Sequence, residues 1–116
     1  MHELSLIYSV VETVEQSAKQ AHATEVVSVK LRIGALSGVV KDALLFCYEI
    51  AADGTMLAGS RLEIEEVPVA IYCQPCAQVM VLGGVQSFRC PTCETPSGDI
   101  RQGRELDIVS IELEVP

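Results

Sequence analysis

Four cysteines stand in two pairs, "CQPC" at Cys73–Cys76 and "CPTC" at Cys90–Cys93, with thirteen residues between them. A thiolate is a soft anionic ligand, and a two-residue spacer lets one tight turn aim two sulfurs at one ion. Two such turns joined by a hairpin can surround a single tetrahedral zinc. Because sulfur fills all four positions and none is left for a reacting water, the expected role is structural. An iron–sulfur centre or a redox dithiol uses the same residues, and the spacing alone does not separate them from zinc.

A second constellation opens the chain, "MHELSL". His2 is too large for the enzyme that removes initiator methionines, so Met1 is expected to stay. The Met1 amine, the His2 backbone nitrogen and the His2 imidazole lie in series. A metal bound by all three closes fused small chelate rings near one plane, which suits nickel(II) or copper(II). Glu3 can complete the set through its backbone nitrogen or its carboxylate. The competing reading is a mobile terminal histidine followed by a glutamate that complements a helix dipole. Local pattern leaves both open.

Other reactive residue types have plainer readings. Cys47, inside "LLFCYEI", is expected on the inward stripe of a helix as a small buried hydrophobe. His22 is read as a solvated residue near a helix end, and Asp42 as a carboxylate complementing the dipole of the second helix. No Ser/His/Asp set, acid/base pair or phosphate-binding glycine loop is present, so no enzymatic activity is expected. The net charge of -8, with only 8 Lys and Arg among 116 residues, repels nucleic-acid phosphates and favours cations. Arg89 and Arg101, close to the cysteines, are offset by Glu94 and Asp99. No apolar run approaches the roughly 20 residues of a membrane span. A signal peptide is not expected either, since Glu3, Glu12, Glu15 and Lys19 interrupt the first twenty residues. Paired cysteines without an export signal point to the cytoplasm, where thiols stay reduced.

The elements that must carry these residues follow from hydrophobic period. Leu4, Ile7, Val11, Val14, Ala18 and Ala21 recur at steps of three and four, which predicts an amphipathic helix over 3–21. "EVVSVKLRIG" alternates as a strand over 25–34, and "KDALLFCYEIAA" returns to helical spacing before the "DGT" stop. "RLEIEEVPVAIY" reads as a second strand interrupted at Pro68 and running to Cys73, and "ELDIVSIELEVP" as the third. Residues 73–98 are rich in Cys, Pro and Gly and poor in large apolar residues, so something other than burial must hold them. The expected architecture is α+β: a small three-stranded mixed sheet with two helices packed on it, plus an inserted four-cysteine, zinc-ribbon-like domain. One domain spans 1–68 and is completed by the strand 104–116; the other spans 69–103.

The combination of "MHELSL", "RIGALSGV", the run "ALLFCYEIAADGTMLAGSRLEIEEVP" and the two CxxC pairs resembles the HypA/HybF family of nickel metallochaperones for NiFe-hydrogenase maturation. The match covers nearly the whole chain. The resemblance implies nickel ligation at Met1, His2 and Glu3 and structural zinc at Cys73, Cys76, Cys90 and Cys93. It implies delivery of nickel to the hydrogenase large-subunit precursor, in company with a maturation GTPase; some members also support urease. Some relatives carry an acidic residue at the start of the second helix that contributes to the nickel site. Here Val40 occupies that point, with Asp42 the nearest acid. Monomer and strand-exchanged homodimer are both compatible with the sequence. A zinc-ribbon adaptor that binds proteins without transferring nickel is the alternative reading.

Overall fold

The computed structural model describes residues 3–85 and 87–116. Its elements in chain order are α1 (Glu3–Gln20), β1 (Glu25–Gly34), a 3-10 turn (Ala35–Ser37), α2 (Lys41–Ala52), β2 (Arg61–Val67), β3 (Ala70–Cys73), β4 (Gln78–Val81), β5 (Ile100–Gln102) and β6 (Leu106–Glu114). They divide into two compact units. One comprises Met1–Leu31, Val39–Glu65 and Asp107–Pro116, the other Arg32–Gly38 and Glu66–Leu106.

In the first unit, Ile7, Val10, Val11, Val14 and Ala18 give α1 a buried stripe at the spacing a helix requires. Two carboxylates of α1 fix its neighbour. Glu3 Oε2 accepts the Val40 N–H at 3.3 Å where α2 begins, and Glu15 Oε2 accepts the Met56 N–H at 2.8 Å beyond the end of α2. The two helices therefore run side by side in the same direction. Leu44, Tyr48, Ala51 and Ala52 form the buried side of α2, and Gly54, with φ 77°, turns the chain back toward β2.

The helices belong to a three-stranded mixed sheet of order β2-β1-β6. Thr24 N–H donates to Glu114 O and Gly34 N–H to Glu105 O, both at 2.8 Å, which makes β1 and β6 antiparallel. The path from β1 to β2 passes through α2, the long crossover that parallel neighbours need. As the central strand, β1 is covered more fully than simple alternation implies: Val26 and Ser28 are buried along with Val29, Leu31 and Ile33. Ser28 donates to Glu112 Oε1 at 3.2 Å. On the edge strand β6, whose alternation is the cleanest in the sequence, Ile111 and Leu113 are half-buried and Val109 and Val115 exposed.

The second unit holds a sheet of order β4-β3-β5, antiparallel throughout. Sequence period suggests one strand from 61 to 72, but the chain breaks it at Pro68, which has no N–H to give a ladder. β2 and β3 on either side of that break lie in different sheets. The core here is small: Val69, Ile71 and Leu82, with Leu36, Met80, Phe88 and Ile100 packed against it. A close backbone approach closes the unit's base. Leu36 N–H donates to Gly103 O at 2.7 Å, and a Cβ on Gly34 would sit 2.1 Å from that same oxygen, so the position accepts glycine alone. No helix among the described residues is long and apolar enough to cross a membrane.

Candidate metal centre

The two CxxC segments fold into turns of one construction. In the first, Cys73 at the end of β3 pairs with Gln78 at the start of β4, and Ala77 N–H donates to Gln74 O at 3.1 Å. In the second, Cys90 N–H donates to Thr95 O at 3.0 Å, Glu94 N–H donates to Cys90 O at 2.9 Å, and Arg89 bridges Pro96. The residue after the second cysteine is left-handed in both, Ala77 at φ 55° and Glu94 at φ 62°. Each turn thus places two sulfurs three residues apart and sends the chain back antiparallel. Ser97 ties the second turn to β3, with Ser97 N–H donating to Phe88 O at 2.8 Å and its hydroxyl to Tyr72 O at 2.7 Å.

The four sulfurs converge, all within 4.8 Å of one another. Cys73 Sγ lies 3.5 Å from Cys93 Sγ, and Cys76 Sγ 3.8 Å from Cys90 Sγ. Four thiolates bound at zinc–sulfur distance around a tetrahedron stand about 3.8 Å apart. All four cysteines are free, and their sulfurs are far beyond the roughly 2.05 Å of a disulfide. The donor set and its spacing therefore fit a tetrahedral zinc cage, with both buried sulfurs, Cys73 and Cys90, being the first of their pair and the exposed one, Cys93, lying toward solvent.

Hydrogen-bond donors around the cage are unevenly shared. Cys90 Sγ receives the Thr92 N–H at 3.4 Å and the Cys93 N–H, and Cys73 receives the Cys76 N–H. Cys93 Sγ is hydrogen-bonded to Thr95 Oγ1 at 3.2 Å and also meets the Thr95 N–H. As thiols the four titrate as one cluster. The Thr95 hydroxyl and N–H lower Cys93 to about 6, while hydrogen bonds to neighbouring sulfurs push Cys76 up to about 12. Beside the cage, Arg101 is clamped by Asp99 at 2.8 and 2.9 Å and lies 4.7 Å over the Tyr72 ring, so its charge is already met.

Of the residues expected at the other end of the chain, Met1 and His2 lie outside the described residues. Glu3 is the first residue of α1, and its carboxylate holds the Val40 N–H. Asp42 is exposed in the first turn of α2, where it complements the helix dipole. Cys47 is half-buried, and His22 is exposed and left-handed at φ 58° where the chain leaves α1. The sequence reading missed Thr92, Thr95 and the left-handed positions. Two-residue spacing identifies sulfur ligands but not their hydrogen-bond donors, and neither Ala77 nor Glu94 is the glycine that would have flagged a positive φ.

A small α+β unit joined to a four-sulfur turn module has the architecture of a metal-binding protein. The family model described as "Hydrogenase/urease nickel incorporation, metallochaperone, hypA" matches residues 1–113. The "Hydrogenase maturation factor HypA" of Roseiflexus sp. (strain RS-1) is 48% identical over 114 residues, covering 98% of this chain and 93% of its own. That of Chloroflexus aurantiacus is 48% identical over 112 residues, covering 97% and 98%. Among solved structures, the solution structure of "the Ni metallochaperone HypA from Helicobacter pylori" is similar with a TM-score of 0.67, 25% identity and full coverage of both chains. The chain belongs to the HypA family of hydrogenase maturation factors.

Proposed function

We propose that the protein binds nickel(II) at its amino terminus and delivers it to the precursor of a NiFe-hydrogenase large subunit. In this reading Met1, His2 and Glu3 hold the transferred ion, and Cys73, Cys76, Cys90 and Cys93 hold a resident structural zinc. Residues 1–68 with 104–116 form the nickel domain, and 69–103 the zinc domain. A maturation GTPase is the expected partner, urease maturation a second destination, and the cytoplasm the place of work. The observation that carries the reading is family membership over almost the whole chain together with the Met-His-Glu lead that ends in the first residue of α1. Glu3 supports it further, because its carboxylate joins the start of α1 to the start of α2.

Transfer requires that nickel leave, which suits a terminal chelate better than a closed cage. Protons compete for the amine, amide and imidazole, so affinity falls as pH falls. The test is a nickel titration of chain whose amino terminus is verified by mass, beside His2→Ala and a variant with an extra Gly before His2. Both variants are expected to lose most of the nickel affinity while keeping their zinc. Equal affinity in all three would refute the terminal chelate and leave the adaptor reading.

A further inference from the structure

The sulfurs of the cage are not equivalent, and the difference lies in what surrounds each one. Cys73 and Cys90 are buried and receive backbone N–H groups; Cys93 is exposed but meets both the N–H and the hydroxyl of Thr95. Cys76 is partly exposed, and among the described residues its Sγ has other sulfurs alone as hydrogen-bond partners. A thiolate draws its nucleophilicity from charge left on sulfur, and each N–H or O–H donor withdraws some of it. Partial exposure of the residue and a sulfur without N–H or O–H donors are therefore found together at one cysteine.

We propose that Cys76 is an oxidation site at which hydroperoxides open the cage, and that the first product is a Cys76–Cys90 disulfide linking the two turns. The Cys76 thiolate attacks one oxygen of hydrogen peroxide; an S–O bond forms, the O–O bond breaks and hydroxide leaves. Sulfur loses two electrons and the peroxide gains them. The Cys90 thiolate, whose sulfur is 3.8 Å from that of Cys76, then attacks the sulfenic acid. The S–S bond forms, the S–O bond breaks and a second hydroxide departs. Both hydroxides take protons from solvent and become water. Two thiolates then remain where four stood, too few for a closed tetrahedral site. The pairing is specific: an ordinary CxxC redox motif would link Cys73 to Cys76 within one turn.

The inference rests on the zinc reading, so the test begins with metal analysis of the full chain as purified. Zinc-containing protein is treated with less than one equivalent of hydrogen peroxide, quenched by alkylation and mapped by peptide mass, while a chromophoric chelator follows zinc release. Cys76–Cys90 is expected as the main link, appearing at the rate of zinc release. Thr95→Val, which removes the hydroxyl at Cys93, is expected to raise the share of Cys93 in the first oxidised products at least twofold. A main link of Cys73–Cys76, a main link containing Cys93 in the unmodified protein, or a Cys93 share unmoved by Thr95→Val would overturn the assignment. Protein that carries no zinc would remove the zinc reading and this inference with it.

Discussion

Ala77 and Glu94 hold backbone angles that glycine adopts freely and a Cβ resists. Each left-handed non-glycine residue costs on the order of 1 kcal/mol, sustained here because the turn must aim two sulfurs at one point. Ala77→Gly relieves that strain but adds freedom to the unfolded chain, so the net gain is expected to be about 0.5 kcal/mol. Competition with a chromophoric chelator should show zinc held modestly tighter in Ala77→Gly and weaker in Ala77→Val, whose branched side chain fits a positive φ worse; the reverse order would remove strain from the account. Tyr48 gives a second prediction at this scale. It is buried on α2 with its hydroxyl 2.5 Å from Ser60 Oγ, and burial pushes its pKa above the ordinary 10.0. Above about pH 10 the unfolded phenol loses its proton while the folded one keeps it, so the folded state binds more protons and stability falls as pH rises. Thermal midpoints from pH 9 to 11 should drop less steeply in Tyr48→Phe than in the unmodified chain. The four cysteines were legible from type and spacing, whereas these two features depend on a backbone angle and a neighbour twelve residues away.

Elements long enough to show a period were legible, and the short ones were not. α1, β1, α2 and β6 each extend over at least nine residues, enough for a 3.6 or 2.0 repeat to declare itself. β4 and β5, "QVMV" and "IRQ", span two strand repeats at most, and β3, "AIYC", is buried too evenly to alternate. The second sheet therefore does not appear in the sequence reading, which expects only a hairpin between the cysteine turns. β6 teaches the converse: its alternation gave the strand correctly, but an edge position leaves much of the apolar face uncovered. At this scale the strongest prediction concerns Gly34, the last residue of β1. Gly34→Ala places a carbon 2.1 Å from Gly103 O, so β1 or the turn before β6 must move. A loss of several kcal/mol is expected in denaturant unfolding, on the order of other severe backbone clashes. Unchanged stability would mean that Gly34 and Gly103 are not held in so close an approach.

Across the whole molecule the two units draw on different sources of stability. The first buries two helices against a sheet, while the second centres, besides its cysteines, on the small cluster of Val69, Ile71 and Leu82. Metal binding in small tetrathiolate modules contributes on the order of 10 kcal/mol of apparent folding free energy, far more than so small a core supplies. Chelation at neutral pH is therefore expected to abolish amide-exchange protection in residues 70–73, 78–81 and 100–102. Protection along Ile7–Ala18 and Leu44–Ala52 should persist, as read by hydrogen exchange with mass detection. Equal loss in both sets would mean that the units unfold as one. The chain passes between the units at residues 31/32, 38/39, 65/66 and 106/107. Neither unit can thus be cut out as a single uninterrupted piece. That threading also sets an order of birth. A ribosome makes every cysteine ligand before it makes β6, the strand that completes the sheet of the first unit. The four-sulfur turns can therefore assemble while the other half of the chain is still unfinished, and the first unit is complete only when synthesis reaches Glu114.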